Sequence, residues 1–566
     1  MTEPPLIVQT DRTVLLETQH PSYEVARDRL ARFAELEKSP EYVHFYRITP
    51  VSIWNAAALG ESSDEVVGWL EANARFPIAP AVTSQVREWF RRYGLLRLRP
   101  GKKGRLRLEC GDDALLAELG ERATLAALLQ FDDEGACTIA EGDRGEVKQA
   151  LVKLGYPVDD RAGYRSGNNL ELRLRERTLG EAAFGLREYQ RRAAEAFHAG
   201  GSDRGGCGVV VLPCGAGKTV VGIAAMQLLQ TNTLVLAPNT VAVRQWCREI
   251  LDKTTLTADQ VGEYSGEKKE IRPVTVATYQ VLTHRKGKLD GFTHLDLFDR
   301  GDFGLVVYDE VHLLPAPVFR ATAGIQARRR LGLTATLVRE DGRADEVFSL
   351  IGPKRFEVPW KHLEAQGFLA EAQCHEVRVP LGEARSDRYA AASARTQIRI
   401  AADNERKEDV VGALLRLHGN DRVLVIGQYL EQLQHLATVF RLPLVTGQTP
   451  NQERERLYAA FRRGELPRLI VSKVGNFAID LPDANVAIQV SGTFGSRQEE
   501  AQRLGRVLRP KSDGSVARFY TLVSADTREQ EFARKRQLFL TEQGYAYAIV
   551  AAEDLLAAAR SQEERA

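Results

Sequence analysis

From residue 209 onward, short apolar runs alternate with longer amphipathic stretches. Runs rich in Val, Ile and Leu are typical of strands buried on both faces of a parallel sheet, and the stretches between them are typical of crossover helices. The pattern therefore predicts two successive α/β sets of parallel strands. The predicted strands are 209–211, 233–238, 274–278, 305–308 and 331–336 in the first set, and 422–426, 445–447, 468–472 and 485–490 in the second.

The chain before these sets has a different pattern. Helix starts are predicted at Thr49, which is followed by proline, and at Ser62 or Ser63, and a third helix is predicted up to Tyr93. Residues 95–108 then alternate leucine with arginine on both sides of a Pro-Gly turn, which predicts a β-hairpin. One face of this hairpin carries Arg97, Arg99, Arg105 and Arg107.

Three helices and a basic hairpin are typical of a winged-helix module, whose hairpin can contact a DNA backbone. The alternative is a solvated strand face on which the arginines only favour solubility. The alternation alone does not separate these two interpretations.

Length and composition indicate a soluble protein of several domains. The chain has 566 residues, 44% of them hydrophobic and 27% charged, and its formal net charge is +1. Any surface for nucleic acid must therefore be a local patch. No stretch is apolar over the length that a bilayer requires, the N-terminus lacks signal-peptide features, and the six cysteines form no C-x-x-C pair. We expect a cytoplasmic protein with no membrane contact and no zinc or iron–sulfur site.

The strongest chemical signal follows the first predicted strand. A glycine-containing loop ends in Lys218-Thr219, where a helix begins, and this order is the one that a phosphate-binding loop requires. We expect Lys218 to contact the β- and γ-phosphates of ATP and the Thr219 hydroxyl to bind Mg²⁺. The first position of the usual motif is leucine here instead of glycine. The expected loop residues are Leu212, Pro213, Cys214, Gly215, Ala216, Gly217, Lys218 and Thr219.

Two carboxylates end the predicted strand 305–308. Asp309 is expected to hold Mg²⁺, and Glu310 to orient and deprotonate the attacking water. His312 either relays between the two sets or is a locally satisfied histidine. Upstream of the loop, Gln190 is expected to bind an adenine edge with its amide, although most helical glutamines are ordinary surface residues.

The second set has no phosphate loop of its own. A predicted helix instead carries Gln502, Arg506 and Arg509 at i, i+4 and i+7, so these side chains share one face. We expect Gln502 to contact the nucleotide, and the two arginines to stabilise the charge of phosphoryl transfer as catalytic residues. The alternative is a salt-bridged surface helix.

The order of these motifs resembles that of superfamily 2 helicases with two RecA-like lobes. The strings Gly332-Leu-Thr-Ala-Thr-Leu-Val-Arg-Glu-Asp341, Val471-Ser-Lys-Val-Gly475 and Ala501-Gln-Arg-Leu-Gly-Arg-Val-Leu-Arg509 resemble the XPB family of DNA helicases. The resemblance is strongest from about 186 to 548. It implies a DNA-dependent ATPase and 3′–5′ helicase that uses ATP and Mg²⁺, probes damaged DNA and acts in DNA repair. Arg339, Glu340 and Asp341 match the family's triplet linked to unwinding.

The predicted fold class is α/β, with two RecA-like parallel-sheet lobes and N-terminal α+β accessory domains that include a winged-helix-like element. The expected divisions are an accessory domain at 1–110, a second small damage-recognition-like unit at 111–180, an ATP-binding lobe at 181–360, a second lobe at 361–548 and a tail at 549–566. The second lobe is expected to carry a short thumb-like insertion near 382–400.

The expected partner is DNA, single-stranded, forked or damaged, and the resemblance leaves room for a nuclease partner. The alternative function is a double-stranded DNA translocase, or a damage-binding protein switched by ATP without processive unwinding. Expected DNA contacts are Arg244, Thr278, Arg339, Glu340, Asp341, Lys473 and Thr493, together with Arg97, Arg99, Arg105 and Arg107.

Overall fold

The chain forms two compact units, one made mainly of residues up to Val358 and the other mainly of residues from Pro359 onward. The structure is a computed structural model. It describes residues 3–38, 40, 42–101, 105–132, 135–161, 167–201, 205–282, 301–311, 327, 329–335, 347, 350–472, 484–491, 516–542 and 545–563. Within these ranges, no helix has the length and apolarity needed to cross a bilayer.

The first unit begins with an antiparallel sheet and four helices. Its strands β1 (Leu6–Val8), β2 (Thr13–Glu17), β3 (Glu35–Lys38) and β4 (Val43–Arg47) lie in the order β1-β2-β4-β3. Its helices are α1 (Tyr23–Leu30), α2 (Pro50–Leu59), α3 (Ser63–Asn73) and α4 (Pro80–Arg92). The predicted helix starts are confirmed, because the side chains of Thr49 and Ser62 accept hydrogen bonds from the backbone N–H groups of Ser52 and Glu65.

A five-stranded sheet follows, in the order β7-β8-β6-β5-β9. Its elements are β5 (Leu96–Pro100), β6 (Arg105–Cys110), α5 (Asp113–Glu121), β7 (Gln130–Phe131), β8 (Cys137–Ala140), α6 (Arg144–Lys153) and β9 (Val158–Asp160). The predicted hairpin is the antiparallel pair β5-β6, and its leucine face is buried as expected.

The hairpin is the centre of this sheet and not a projecting wing, since β9 pairs with β5 and β8 pairs with β6. One hydrophobic core joins Leu96 on β5 to Val158 on β9. The sheet and its hydrophobic core therefore both continue across residue 110, where the sequence analysis placed a division between two domains. Alternation along a strand indicates which face is buried, but it does not indicate which strands will pair with the two edges.

The first lobe is a seven-stranded parallel sheet in the order β12-β13-β11-β14-β15-β10-β16. Its strands are β10 (Cys207–Val211), β11 (Thr233–Ala237), β12 (Val261–Tyr264), β13 (Val274–Thr278), β14 (Leu305–Asp309), β15 (Arg329–Thr334) and β16 (Lys354–Glu357). Its helices are α7 (Glu188–His198), α8 (Lys218–Leu229), α9 (Thr240–Lys253) and α10 (Tyr279–Leu282). The five strands predicted in this set are confirmed, and β12 and β16 are additional edge strands.

Charged side chains attach the N-terminal sheet to the first lobe. Lys354 Nζ on β16 donates a hydrogen bond of 3.1 Å to the backbone oxygen of Ala34, and it lies 2.7 Å from the Glu357 carboxylate. Arg192 on α7 pairs with Asp28 on α1 at 2.7 Å. The accessory fold is thus joined directly to the sheet and helices of this lobe.

The second unit contains another seven-stranded parallel sheet, in the order β19-β20-β18-β21-β22-β17-β23. Its strands are β17 (Ala372–Val379), β18 (Val423–Gly427), β19 (Leu444–Val445), β20 (Arg468–Ser472), β21 (Val486–Gln489), β22 (Ala517–Ser524) and β23 (Ala546–Ala551). Its helices are α11 (Trp360–Ala365), α12 (Glu383–Ala390), α13 (Ala394–Ala402), α14 (Arg406–Leu417), α15 (Leu430–Phe440), α16 (Asn451–Arg462), α17 (Glu529–Glu542) and α18 (Ala552–Glu563).

Two parallel-sheet lobes preceded by accessory sheets confirm the predicted α/β class with N-terminal accessory domains. The hairpin of the expected winged-helix-like element is instead the centre of the five-stranded sheet. The segment near 382–400 forms the helix pair α12 and α13. Residues 549–551 lie inside β23, and α18 packs against α14, so the segment expected as a tail is part of the second fold. The sequence of residues 549–566 does not by itself predict this contact between α18 and α14, because the two helices are more than a hundred residues apart in the chain.

A buried ionic network joins α6 to β9 in the five-stranded domain. Arg144 Nε donates to an Asp160 oxygen at 2.8 Å, and Lys148 Nζ lies 2.9 Å from the same carboxylate. The Asp160 side chain is only 8% exposed. Burial lowers the pKa of Lys148, and the nearby Asp160 carboxylate opposes that shift. One carboxylate therefore compensates two buried cations.

We expect Asp160→Ala to lower the free energy of opening of this sheet by about 3–5 kcal/mol, because it removes the carboxylate that both buried cations contact. The measurement is native-state hydrogen exchange of the β5 and β6 amides. The control is Asp159→Ala, whose partner Arg161 is 55% exposed and whose loss should cost less than about 1 kcal/mol. Equal effects of the two substitutions would contradict a structural role for the buried network.

Candidate nucleotide-binding site

Three neighbouring strands of the first lobe bring the predicted motifs together. β15 pairs with β10 on one side and with β14 on the other, and all three run parallel. Their carboxyl ends therefore lie at the same edge of the sheet, where open α/β sheets bind ligands. The backbone N–H of Leu212 donates to the Thr334 oxygen at 3.0 Å, which fixes the start of the phosphate loop against β15.

The loop lysine meets the acidic pair at this edge. Lys218 Nζ lies 3.2 Å from Glu310 Oε1, and both side chains are largely buried. These residues are 92 positions apart in the sequence numbering, and only the strand order brings them into contact. An ammonium group and a carboxylate are therefore adjacent where the sequence predicts phosphate binding and hydrolysis.

The loop backbone has the conformation that a phosphate cradle needs. Gly215 and Gly217 have φ angles of 82° and 77°, in the left-handed region that glycine adopts without a steric cost. Such turns point successive N–H groups inward, and α8 adds its positive N-terminal end. Leu212, at the position where glycine is usual, is fully buried, so its side chain belongs to the core.

Gln190 lies against the loop. Its side-chain oxygen accepts a hydrogen bond of 3.0 Å from the Arg187 N–H and so caps α7. A Cβ atom on Gly217 would lie 2.5 Å from Gln190 Nε2. The glutamine thus has a structural role beside the loop, and its expected contact with adenine stays a prediction.

Asp309 accepts hydrogen bonds from side chains of two helices, one at its carboxylate and one at its backbone oxygen. Trp246 Nε1 on α9 donates to Asp309 Oδ2 at 3.0 Å, and the Tyr279 hydroxyl at the start of α10 donates to the Asp309 backbone oxygen at 2.8 Å. Burial raises the pKa of Asp309 to about 6, and the charge of Glu310 adds to this rise in pKa. The Trp246 hydrogen bond and the Lys218 ammonium group lower the same pKa.

This set of groups fits Mg²⁺. The ion prefers oxygen ligands, and Asp309 and Thr219 offer a carboxylate and a hydroxyl from the two expected segments. A buried carboxylate whose charge is costly is stabilised by a nearby cation. The residues present are therefore suited to hold a magnesium-bound nucleotide.

Glu310 adopts a strained backbone conformation. Its φ angle is 50°, in the left-handed region, which costs a non-glycine residue about 1–2 kcal/mol. Residues held in this way cluster at functional sites, because the surrounding structure must compensate the strain. The sharp turn follows directly on β14, and the carboxylate lies beside Lys218.

Motif analysis missed Trp246 and Tyr279, because neither belongs to a string that signals nucleotide chemistry. Trp246 is 1% exposed, and a buried indole N–H needs an acceptor. The available signal was a tryptophan on the apolar face of an amphipathic helix that follows a parallel strand. It indicates burial, but it does not identify the acceptor.

The described residues place the expected DNA contacts as follows. Thr278 is buried at the end of β13, and Arg244 pairs with Glu267 at 2.5 Å and with Glu263 at 3.5 Å. On the five-stranded sheet, the four arginines lie opposite the buried leucines, with Arg99 pairing with Glu109 at 2.8 Å and Arg105 Nε donating to Thr138 at 3.0 Å. Arg97, Arg99 and Arg107 are exposed. Their contact with DNA stays a prediction.

Several predicted residues lie outside the part of the chain that the structure describes. These are His312, Arg339, Glu340, Asp341, Lys473, Thr493, Gln502, Arg506 and Arg509.

Comparison with known proteins identifies the family. A family model described as "ERCC3/RAD25/XPB C-terminal helicase" matches residues 363–564, one described as "Type III restriction enzyme, res subunit" matches 183–339, and one described as "Helicase conserved C-terminal domain" matches 6–132. The "DNA 3'-5' helicase XPB" of Kineococcus radiotolerans is 53% identical over 557 residues, covering 98% of both chains. The chain belongs to the XPB family of superfamily 2 helicases.

Other XPB proteins match over similar lengths. The "DNA 3'-5' helicase XPB" of Mycobacterium tuberculosis is 51% identical and covers 98% of this chain and 99% of its own. The "General transcription and DNA repair factor IIH helicase/translocase subunit XPB" of Schizosaccharomyces pombe is 31% identical and covers 95% of this chain and 75% of its own. The family resemblance inferred from the motifs is confirmed over nearly the whole chain.

We expect Gly217→Ala to weaken nucleotide binding by about tenfold or more. The new Cβ would meet Gln190 Nε2 at 2.5 Å, and the positive φ would cost alanine about 1–2 kcal/mol, so the free loop would favour other conformations that do not bind phosphate. Each 1.4 kcal/mol of that preference lowers the affinity tenfold. The measurement is equilibrium titration with a fluorescent ADP analogue. Gly266→Ala is the matched control in the same lobe, since a Cβ there meets nothing within 4 Å. Unchanged affinity in Gly217→Ala would show that the loop tolerates a side chain.

Proposed function

We propose that this chain is an ATP-dependent 3′–5′ DNA helicase of the XPB type that acts in DNA repair. The observation that carries the proposal is the contact of Lys218 with Glu310, beside Asp309, at the carboxyl edge of a parallel sheet. Identity of 51–53% to two bacterial proteins named "DNA 3'-5' helicase XPB" supports the substrate and the polarity.

In the proposed reaction, the loop N–H groups and Lys218 bind the triphosphate, and Asp309 and Thr219 hold Mg²⁺. The bound ion neutralises charge that develops on the phosphates. Glu310 orients the attacking water and accepts its proton. Because Lys218 pairs with Glu310 in the described arrangement, a phosphate group that contacts Lys218 would compete with the Glu310 carboxylate for the ammonium group.

Gln502 is proposed to contact the nucleotide, and Arg506 and Arg509 are proposed to stabilise the charge of the transferred γ-phosphate. Loss of that phosphate would then drive steps along DNA. The proposed contacts with the DNA backbone are Arg244, Thr278, Arg339, Glu340, Asp341, Lys473 and Thr493, and the arginines of the five-stranded sheet. Binding through such contacts weakens steeply as salt rises. A nuclease partner and a cytoplasmic location belong to the same proposal.

The test is the ATPase rate with and without single-stranded DNA, followed by unwinding of duplexes that carry a 3′ or a 5′ single-stranded tail. We expect stimulation by DNA and unwinding of the 3′-tailed duplex. Unwinding of only the 5′-tailed duplex would overturn the polarity, and an ATPase that ignores DNA would overturn the function.

We expect Lys218→Ala to lower the ATPase rate by about 100-fold or more, because it removes a cation that stabilises the developing charge. DNA binding should persist, since the proposed DNA contacts lie on other residues. Lys268→Ala, at an exposed lysine of the same lobe, is the control. A normal ATPase rate in Lys218→Ala would mean that hydrolysis occurs elsewhere.

A second candidate function is translocation on duplex DNA without strand separation. The name of the Schizosaccharomyces pombe relative includes "helicase/translocase", and the same pair of lobes can serve both activities. Displacement of a third strand from a triplex, without unwinding of a forked duplex, would select the translocase.

A further inference from the structure

Two hydrogen bonds from outside the nucleotide motifs hold Asp309. Trp246 Nε1 donates to the carboxylate oxygen Oδ2, and the Tyr279 hydroxyl donates to the backbone oxygen of the same residue. The first bond orients the carboxylate, and the second fixes the backbone that carries it. Both donors are almost fully buried.

Tight packing on α8 fixes the Trp246 ring. A Cβ atom on Gly222 would lie 2.6 Å from Trp246 Cη2, so the indole lies directly against the helix that starts at Lys218. The ring has little freedom to tilt unless α8 or α9 moves. A shift of α9 would therefore carry the indole N–H away from the Asp309 carboxylate.

The two donors belong to the segments that carry the proposed DNA contacts of this lobe. Arg244 precedes Trp246 by two residues on α9, and Thr278 directly precedes Tyr279. The Arg244 guanidinium contacts Glu267 and Glu263, and a DNA phosphate near it would compete with these carboxylates. Each of these two proposed DNA contacts therefore lies within two residues of a side chain that donates a hydrogen bond to Asp309.

We propose that Trp246 and Tyr279 are positioning residues that orient Asp309 for the magnesium-bound nucleotide and make hydrolysis respond to DNA held at α9 and at the end of β13. This inference rests on the proposed function, because it assumes an ATPase that DNA stimulates. Groups that hydrogen-bond a metal-binding side chain typically change metal affinity or activity about 10–100-fold when they are removed.

The experiment compares the full-length protein with Trp246→Phe and Tyr279→Phe. Each substitution removes the donor and keeps an aromatic side chain. Tyr279→Phe preserves the ring, whereas Trp246→Phe also removes one ring of the indole, a loss that the Trp360→Phe control reproduces elsewhere. We measure the Mg²⁺ concentration that gives half-maximal binding of a fluorescent ADP analogue, the ratio of ATPase rates with and without single-stranded DNA, and the affinity for that DNA.

We expect Trp246→Phe to need about tenfold or more Mg²⁺ for half-maximal binding. In both variants the stimulation ratio should fall about fivefold or more, which is the size of an ordinary coupling between two sites, while the affinity for DNA stays unchanged. A merely structural role would lower thermal stability without shifting the Mg²⁺ dependence or the stimulation ratio.

Two conservative substitutions serve as controls. Tyr264→Phe alters a buried tyrosine on β12, three positions from β14 in the sheet, and Trp360→Phe alters a buried tryptophan of the second unit. Both should match the unsubstituted protein in all three measurements. A shift in either control as large as that in Trp246→Phe would overturn the proposal, because the effect would then not depend on the contact with Asp309.

The outcomes separate this inference from the proposed function. An unsubstituted protein whose ATPase ignores DNA would overturn the function. If DNA stimulates the ATPase and both variants keep the normal Mg²⁺ dependence and stimulation ratio, the positioning role is wrong and the function stands. A shifted Mg²⁺ dependence with normal stimulation would overturn the coupling to DNA. Because Tyr279→Phe removes only one hydroxyl, it keeps the test decisive should Trp246→Phe fail to fold.

Discussion

The parallel pairing of β10, β15 and β14 is the constraint on which the nucleotide site depends. Because β15 lies between the other two strands, the loop after β10 and the acids after β14 emerge at one edge, and Lys218 comes within 3.2 Å of Glu310. Backbone hydrogen bonds set this spacing, so the site does not rely on flexible side chains to assemble. Loss of register in any one strand would separate the lysine from the acids.

Burial makes the charges at this edge sensitive to their neighbours. A carboxylate removed from water is stabilised only by specific partners, and Asp309 has an indole N–H at 3.0 Å and a lysine in its surroundings. Glu310 adds backbone strain, with a φ of 50°. The backbone strain of Glu310, the burial of Asp309 and the repulsion between the two carboxylates all destabilise this edge of the sheet. A bound cation together with phosphate groups would reduce the electrostatic repulsion.

The accessory domains are built on the same physical rules. Asp160 compensates two buried cations, and Lys354 ties the N-terminal sheet to the edge strand of the first lobe. Arg192, which contacts Asp28, lies on the same helix as Gln190, beside the phosphate loop. The N-terminal domain is therefore attached through the element that also packs on the nucleotide loop. The Lys354 contacts are buried, whereas Arg192 and Asp28 are 45% and 39% exposed, so that pair contributes little stability by itself.

Local sequence was sufficient for everything that depends on near neighbours. It determined the parallel strands from their apolar runs, the caps of α2 and α3, the glycine loop before α8, the position of the acids 309 and 310 at the end of β14, and the family. Tertiary structure alone decided which strands flank the hairpin, that residues 549–551 complete a sheet, and that Trp246 holds Asp309. The physical reason is distance along the chain: propensity and periodicity act over a few residues, whereas the hydrogen bond from Trp246 joins groups 63 positions apart.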